Sequence, residues 1–211
     1  YFNVRATDLA GNVSIAATSD GITIDIGPPV AGSVADGLDG DEVWTNSEDA
    51  LELSWYDFDD SLSGIEYYEY AFGFSPGVTD VVPWTNADTN TAITATGLTL
   101  VHGASYYGAV RATDYMGHVS TTAISNGILV DTFSPTVGLP NDGSAEDLDY
   151  QGPSDTLAIY WTGNDTREIA YYQYSVGTIA GDTNVVPWTG NETATAVVIT
   201  DFVLTHETVY F

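Results

Sequence analysis

Cysteine and lysine are absent from this chain, and its basic residues are three arginines, Arg5, Arg111 and Arg167, against 30 acidic residues. Without cysteine no disulfide can staple the fold. Without lysine a lysine–asparagine cross-link is excluded as well, so stability must come from packing, with or without a metal. The charge balance argues against nucleic acid as a partner, because neutralising phosphates takes clustered Lys or Arg. It argues equally against an anionic membrane surface. No apolar run approaches the ~18–20 residues of a membrane-spanning helix, and nothing in the chain has a convincing helical period. No signal peptide is present and the single methionine is Met116, which reads as a mature chain or a fragment. The net charge of −27 implies bound cations or a saline medium, where a screening length of about 8 Å at 0.15 M salt makes such a surface tolerable.

What is present suffices for real cores. The 211 residues are 44% hydrophobic and 12% aromatic, unlike a disordered chain, and the length allows one large domain or two ordinary ones. The chain is also periodic. YFNVRATDLAGNVS at 1–14 returns as YGAVRATDYMGHVS at 107–120, and SDGITID at 19–25 as SNGILVD at 125–131, both 106 residues on. LELSW ending at Trp55 matches LAIYW ending at Trp161 at the same spacing. From GIEYYEYAFG at 64–73 against EIAYYQYSVG at 168–177 the spacing is 104, and TDVVPWTN and TNVVPWTG keep it. The two-residue change places a shorter loop after Trp161. Tyr1, Tyr107 and Phe211 therefore share one repeat position.

Each repeat is a succession of short runs rich in Val, Ile, Thr and Tyr, bounded by Gly, Asp, Asn and Pro, which marks strands. Leu51, Leu53 and Trp55 alternate with Glu52 and Ser54. Tyr68, Tyr70 and Phe72 alternate with Glu69 and Ala71, and Tyr106, Val110 and Ala112 with Tyr107, Ala109 and Arg111. Period two means one buried face per strand. About seven strands in roughly 105 residues predict an all-β sandwich.

LSWYDF, GIEYYEYAFG and GLTLVHGASYYGAVRATD resemble strands B, C and E–F of a fibronectin type III domain, an immunoglobulin-like β-sandwich. Trp55 and Trp161 match that family's core tryptophan of strand B. Leu98 to Tyr106 resembles its tyrosine corner, and Leu204 to Tyr210 repeats it with Glu207 where Gly103 stands. VDTFSP and IDIGPP look like joints in tandem arrays. The resemblance implies three parts: residues 1–26 as strands F and G of a preceding module, 27–132 as a complete module, and 133–211 as strands A to E and the start of F of a following one. Either the chain is a window on a longer tandem array, or residues 1–25 of one copy complete 136–211 of the next. Both give copies joined head-to-tail.

Acidic loops carry the candidate chemistry. Asp36, Asp39 and Asp41 in one loop correspond to Asp142, Asp147 and Asp149. Asp57, Asp59 and Asp60 form a second group, with only Asp165 in the shorter copy. Asp8 and Asp114 occupy the F–G turn, and Asp25 and Asp131 close strand G. Head-to-tail stacking of sandwiches would bring such loops to one joint, where clustered carboxylates suit Ca²⁺, a hard cation with oxygen ligands. The competing reading is that Asp and Gly are good loop residues on a salt-adapted surface. No stretch matches an EF-hand loop. Trp84 and Trp188 in VVPWT could stack on a sugar ring or cover a sheet edge. His102, His118 and His206 read as surface turn residues without zinc spacing. Sequons place possible N-glycosylation at Asn12, Asn164 and Asn191. No nucleophile–base constellation is present, so an enzyme is not expected. The expected role is a structural repeat of an extracellular filament, stalk or giant adhesin. The alternative is a carbohydrate- or protein-binding accessory module of a secreted enzyme or lectin.

Overall fold

The computed structural model describes residues 1–144, 146–152, 155–200 and 203–211, and every regular element among them is a β-strand. The chain forms two compact units, Tyr1–Thr132 and Phe133–Phe211, described here in turn.

The first unit opens with β1 (Asn3–Val4) and β2 (Ala17–Thr18), an antiparallel pair that belongs to no larger sheet. Then follow β3 (Ser33–Asp36), β4 (Trp44–Thr45), β5 (Ala50–Tyr56), β6 (Ile65–Gly73), β7 (Val82–Asp88), β8 (Ala92–Thr96), β9 (Ser105–Asp114), β10 (Ala123–Ile124) and β11 (Ile128–Val130). One sheet has the order β3-β5-β8 and the other β4-β11-β9-β6-β7, with β10 also on β9. The alternation in β5 works as the pattern demands: Leu51, Leu53 and Trp55 are buried and Glu52 is exposed. They pack against Phe72, Tyr106, Val110, Ile128 and Val130 from the facing sheet. Each such side chain contributes about 1.5–3 kcal/mol on burial. Trp55 meets Tyr68 edge-on with ring centroids 5.6 Å apart. Strand β9 closes on β5 at Gly108, where a Cβ would meet Leu53 Cδ1 at 2.1 Å. The tyrosine corner is formed, with Tyr106 Oη accepting the Val101 N–H at 3.0 Å.

The isolated pair β1–β2 is built like the hairpin that follows β9. Ser14 N–H donates to Ala6 O at 2.8 Å and Ser120 N–H to Ala112 O at 2.9 Å. Ser19 Oγ accepts from Phe2 N–H at 2.8 Å, and Ser125 Oγ from Gly108 N–H at 2.8 Å. Gly21 and Gly127 adopt the same left-handed backbone, with φ of 98° and 97°. Equal sequence has folded to equal local structure, in one case with a sheet beside it and in the other without.

The second unit contains β12 (Thr136–Val137), β13 (Asn141–Asp142), β14 (Leu157–Tyr160), β15 (Gly163–Asn164), β16 (Gln173–Val176), β17 (Val186–Gly190) and β18 (Ala196–Ile199). Its sheet β13-β14-β18 has the order of β3-β5-β8, while β16 pairs with β17 as β6 does with β7. Phe211 and Gly177 exchange N–H···O bonds of 2.8 and 2.9 Å, the position held by the Tyr107–Gly73 pair in the first unit. Tyr210 Oη accepts from Thr205 N–H at 3.0 Å, repeating the tyrosine corner. Between β14 and β16 lies a groove of about 1310 Å³ whose walls include Leu157, Ile159, Trp161, Tyr174, Val176 and Leu204.

Candidate functional site

Asp114 ends β9 and organises the turn after it. Its Oδ1 accepts the N–H groups of Met116 and His118, both at 2.8 Å, and its Oδ2 faces His118 Nδ1 at 2.8 Å. The side chain is fully buried. Burial alone would push this carboxyl up, but the hydrogen bonds from His118 and Met116 outweigh it and hold Asp114 below the ordinary carboxylate range. Asp8 makes the same turn in the first hairpin, accepting from Ala10 N–H at 2.9 Å, Asn12 N–H at 2.8 Å and Asn12 Nδ2 at 2.8 Å. The Asn12 bonds hold its carboxyl down too.

Asp25 reaches this end of the module from the stretch after β2. Its Oδ1 accepts from Gly27 N–H at 3.1 Å and its Oδ2 from Ser63 N–H at 3.2 Å. Hydrogen bonding from Ser63, then Gly27, lowers its pKa. Asp60 Oδ1 accepts from Leu62, Ser63 and Gly64 at 3.0, 2.8 and 2.9 Å, so the Ser63 N–H is shared by two carboxylates. One ligand atom each from Asp25, Asp114 and His118 lies within 4.8 Å of the others, the one such group of three among the described residues. The other two members of the β5–β6 loop trio lie apart from it. Asp59 pairs its backbone with Val30, and Asp57 takes a left-handed φ of 63°.

The loop after β3 holds a separate constellation. Asp36 is fully buried. Its Oδ2 accepts from Gly127 N–H at 2.8 Å, its backbone N–H donates to Asp41 Oδ1 at 3.1 Å, and Asn126 Nδ2 donates to Asp41 Oδ2 at 2.7 Å. Asp36 Oδ1 has no hydrogen-bond partner. Burial pushes the carboxyl up, the Asp41 charge adds to the rise, and the Ser125 hydroxyl and Gly127 N–H oppose it. Asp39 is exposed in the same loop. Asp131 lies 3.4 Å from His102 Nδ1. In the second unit Asp142 N–H donates to Asp147 Oδ1 at 3.1 Å, yet Asp142 is exposed, as are Asp147 and Asp149. Partial burial and the Asp147 charge push Asp142 up. The described acidic residues thus divide between distinct loops: Asp25 meets Asp114 and His118 and shares the Ser63 N–H with Asp60.

The two tryptophans of VVPWT differ. Over Trp84 lies the Arg111 guanidinium, 4.4 Å from the ring centroid, and Arg111 Nε donates to Glu69 Oε2 at 2.7 Å. Trp188 is 64% exposed. Among the sequon asparagines, Asn12 is tied to Asp8 and Asn191 Nδ2 donates to Ala194 O at 2.8 Å, while Asn164 is exposed in β15. Sequence reasoning missed two partners, His118 on Asp114 and Arg111 on Trp84. The second had a signal: in a chain with three basic residues, Arg5 and Arg111 share one repeat position.

No protein-family model matches the chain, and no curated protein matches it. Among solved structures it is similar to the crystal structure of chicken CNTN1 FN1-FN3 domains, at 16% identity and a TM-score of 0.40, over 99% of this chain and 68% of that one. The sheet orders β3-β5-β8 and β11-β9-β6-β7 place strands A, B and E against G, F, C and C′, joined by a tyrosine corner. The fold is a fibronectin type III-like β-sandwich. Its candidate site is a cluster of carboxylates capped by backbone N–H groups. No helix among the described residues is long and apolar enough to cross a membrane.

Proposed function

We propose that this chain is a structural segment of tandem fibronectin type III-like modules, set head-to-tail as a spacer in an extracellular filament, stalk or adhesin. In this reading residues 1–26 are the last strands of one module, 27–132 a whole module, and 133–211 the greater part of the next. The observation that supports it is Asp25. A residue from the segment preceding the module accepts a hydrogen bond from Ser63 in its β5–β6 loop and stands beside Asp114 and His118 in its β9–β10 turn. Such a contact fixes one module's exit to the next module's pole. A spacer needs that more than it needs a pocket. Antibodies to the chain should label fibres on the surface of intact source cells, or in their medium. Label confined to the cell interior would remove the reading.

Calcium at the joint belongs to the same proposal. Asp25 and Asp114 bring two carboxylates together in a chain of net charge −27, and a divalent cation would relieve their repulsion. The melting temperature should rise with Ca²⁺ and return with EGTA; superimposable melts would take the metal out of the proposal.

A further inference from the structure

The chain has one Asn–Gly step, Asn126–Gly127, and it lies in the connection between β10 and β11. Such a step is chemically labile. Once the Gly127 nitrogen gives up its proton it can attack Cγ of Asn126. A C–N bond forms, the Cγ–Nδ2 bond breaks, and the side-chain nitrogen leaves as ammonia with a proton from water. Water then opens the cyclic imide to aspartate or isoaspartate at 126. Glycine favours the closure because it has no side chain to crowd the ring. Asn126 is exposed, so water and hydroxide reach it.

In the folded module both reacting groups are held by carboxylates. Asn126 Nδ2, the leaving group, donates to Asp41 Oδ2 at 2.7 Å, and the Gly127 N–H, the nucleophile, donates to Asp36 Oδ2 at 2.8 Å. Hydrogen bonds to ionised groups are the stronger kind. A carboxylate is far too weak a base to take an amide proton, and an anion formed at the Gly127 nitrogen would stand against it. The backbone is fixed as well. The Ser125 N–H donates to Gly108 O at 2.9 Å, and Ser125 Oγ accepts from Gly108 N–H at 2.8 Å. Gly127 lies against Tyr107, whose Cε1 would be 2.5 Å from a Cβ placed there. Ring closure therefore requires both carboxylate bonds to break and the turn to lift off β9.

We infer that Asn126 is a covalent modification site gated by the fold: Asp36 and Asp41 keep it intact while the module is closed, and it deamidates when the β10–β11 connection opens. The product matters because of where it falls. Aspartate at 126 has no proton to donate to Asp41, and a third carboxylate then stands with Asp41 and the buried Asp36. The turn itself is no obstacle to an acid. Asp20 holds the same repeat position in the earlier hairpin, and Gly21 after it has φ of 98° against 97° at Gly127. The penalty at 126 comes from the loop after β3. Each opening long enough for ring closure leaves a permanent charge, and the module that recloses is weaker. The inference is independent of the head-to-tail reading.

The test incubates the folded chain and a synthetic peptide of residues 121–131 side by side in mildly alkaline buffer, and follows Asn126 by peptide mass mapping. Asn126 should convert at least tenfold more slowly in the folded chain than in the peptide. Asp41→Ala, in a chain that circular dichroism shows to be folded, should convert faster than wild type. Should that variant not fold, the comparison of chain with peptide still decides. Asn126→Asp should melt below Asn126→Ser, which loses the bond to Asp41 without adding charge, and the gap should narrow as salt is added. Conversion in the folded chain as fast as in the peptide would overturn the gate, as would a folded Asp41→Ala chain that reacts at the wild-type rate. Equal melting of Asn126→Asp and Asn126→Ser would overturn the penalty.

Discussion

At the scale of single residues, the acidic side chains do opposite work according to what surrounds them. Asp114 trades solvent for two backbone N–H groups and a histidine ring. Asp114→Ala leaves those buried donors without an acceptor, so in chelator-containing buffer the module should melt at a lower temperature than wild type; equal melts would show that the turn does not depend on it. Asp36 is the reverse case. Its carboxyl is raised by burial and by Asp41, so the folded state holds its proton more tightly than the unfolded chain, where Asp titrates near about 3.9. Below that value Asp36 carries no penalty. As pH rises from there through the raised folded value, the unfolded state ionises more readily and stability is lost. Asp36→Asn keeps an acceptor for Gly127 and removes the charge. The stability of wild type relative to Asp36→Asn should therefore fall over that interval and then level off. Parallel melting profiles against pH would contradict this.

At the scale of elements, the corner before β9 and its copy in the second unit can be compared directly. Gly103 has φ of 79°, a backbone that glycine adopts freely, and Glu207 holds the same position at φ of 59°. A left-handed non-glycine residue costs roughly 1–2 kcal/mol, so Glu207→Gly should stabilise the second unit by about 1 kcal/mol in urea unfolding. Tyr106→Phe keeps the ring of the corner and removes the acceptor of the Val101 N–H; a loss of about 1 kcal/mol is expected. A null result for either would mean the turn relaxes at no cost. Arg111 of β9 reaches across β6, where its Nε donates to Glu69, to lie over Trp84 of β7.

The whole molecule is dominated by its charge, −27 over 211 residues. At low ionic strength the screening length reaches about 30 Å, and at 1 M salt it is about 3 Å. With no lysine to interleave, the repulsion is unrelieved at low salt. Melting temperature should rise with NaCl in the presence of chelator, and insensitivity to salt would show that local hydrogen bonds already absorb the charge. Calorimetry should resolve two transitions in dilute solution. Residues 133–211, with an open groove, unfold first, and the module whose core spans Leu51 to Val130 unfolds later. A single sharp transition would mean that the two units cooperate.

The sequence by itself determined the sandwich. Alternation in β5 depends only on the two-residue period of a strand, whereas in β6 and β9 Ala71 and Ala109, expected on the open face, are buried as well; the repeats set which loops correspond. It also determined that the hairpins at 1–26 and 107–132 would be alike, since their bonds join residues close in the chain. What it left open was which acidic loops meet. Asp25 meets Asp114 and shares the Ser63 N–H with Asp60, while Asp57 and Asp59 lie apart, because such meetings depend on how loops distant in sequence are packed and on which backbone N–H groups point at them. Trp84 and Trp188 lie in nearly the same words, VVPWT, yet one is covered and the other open. Trp84 is covered because β9, across β6 from its own strand, lays Arg111 over the ring, a contact that only folding makes between residues so far apart in the chain.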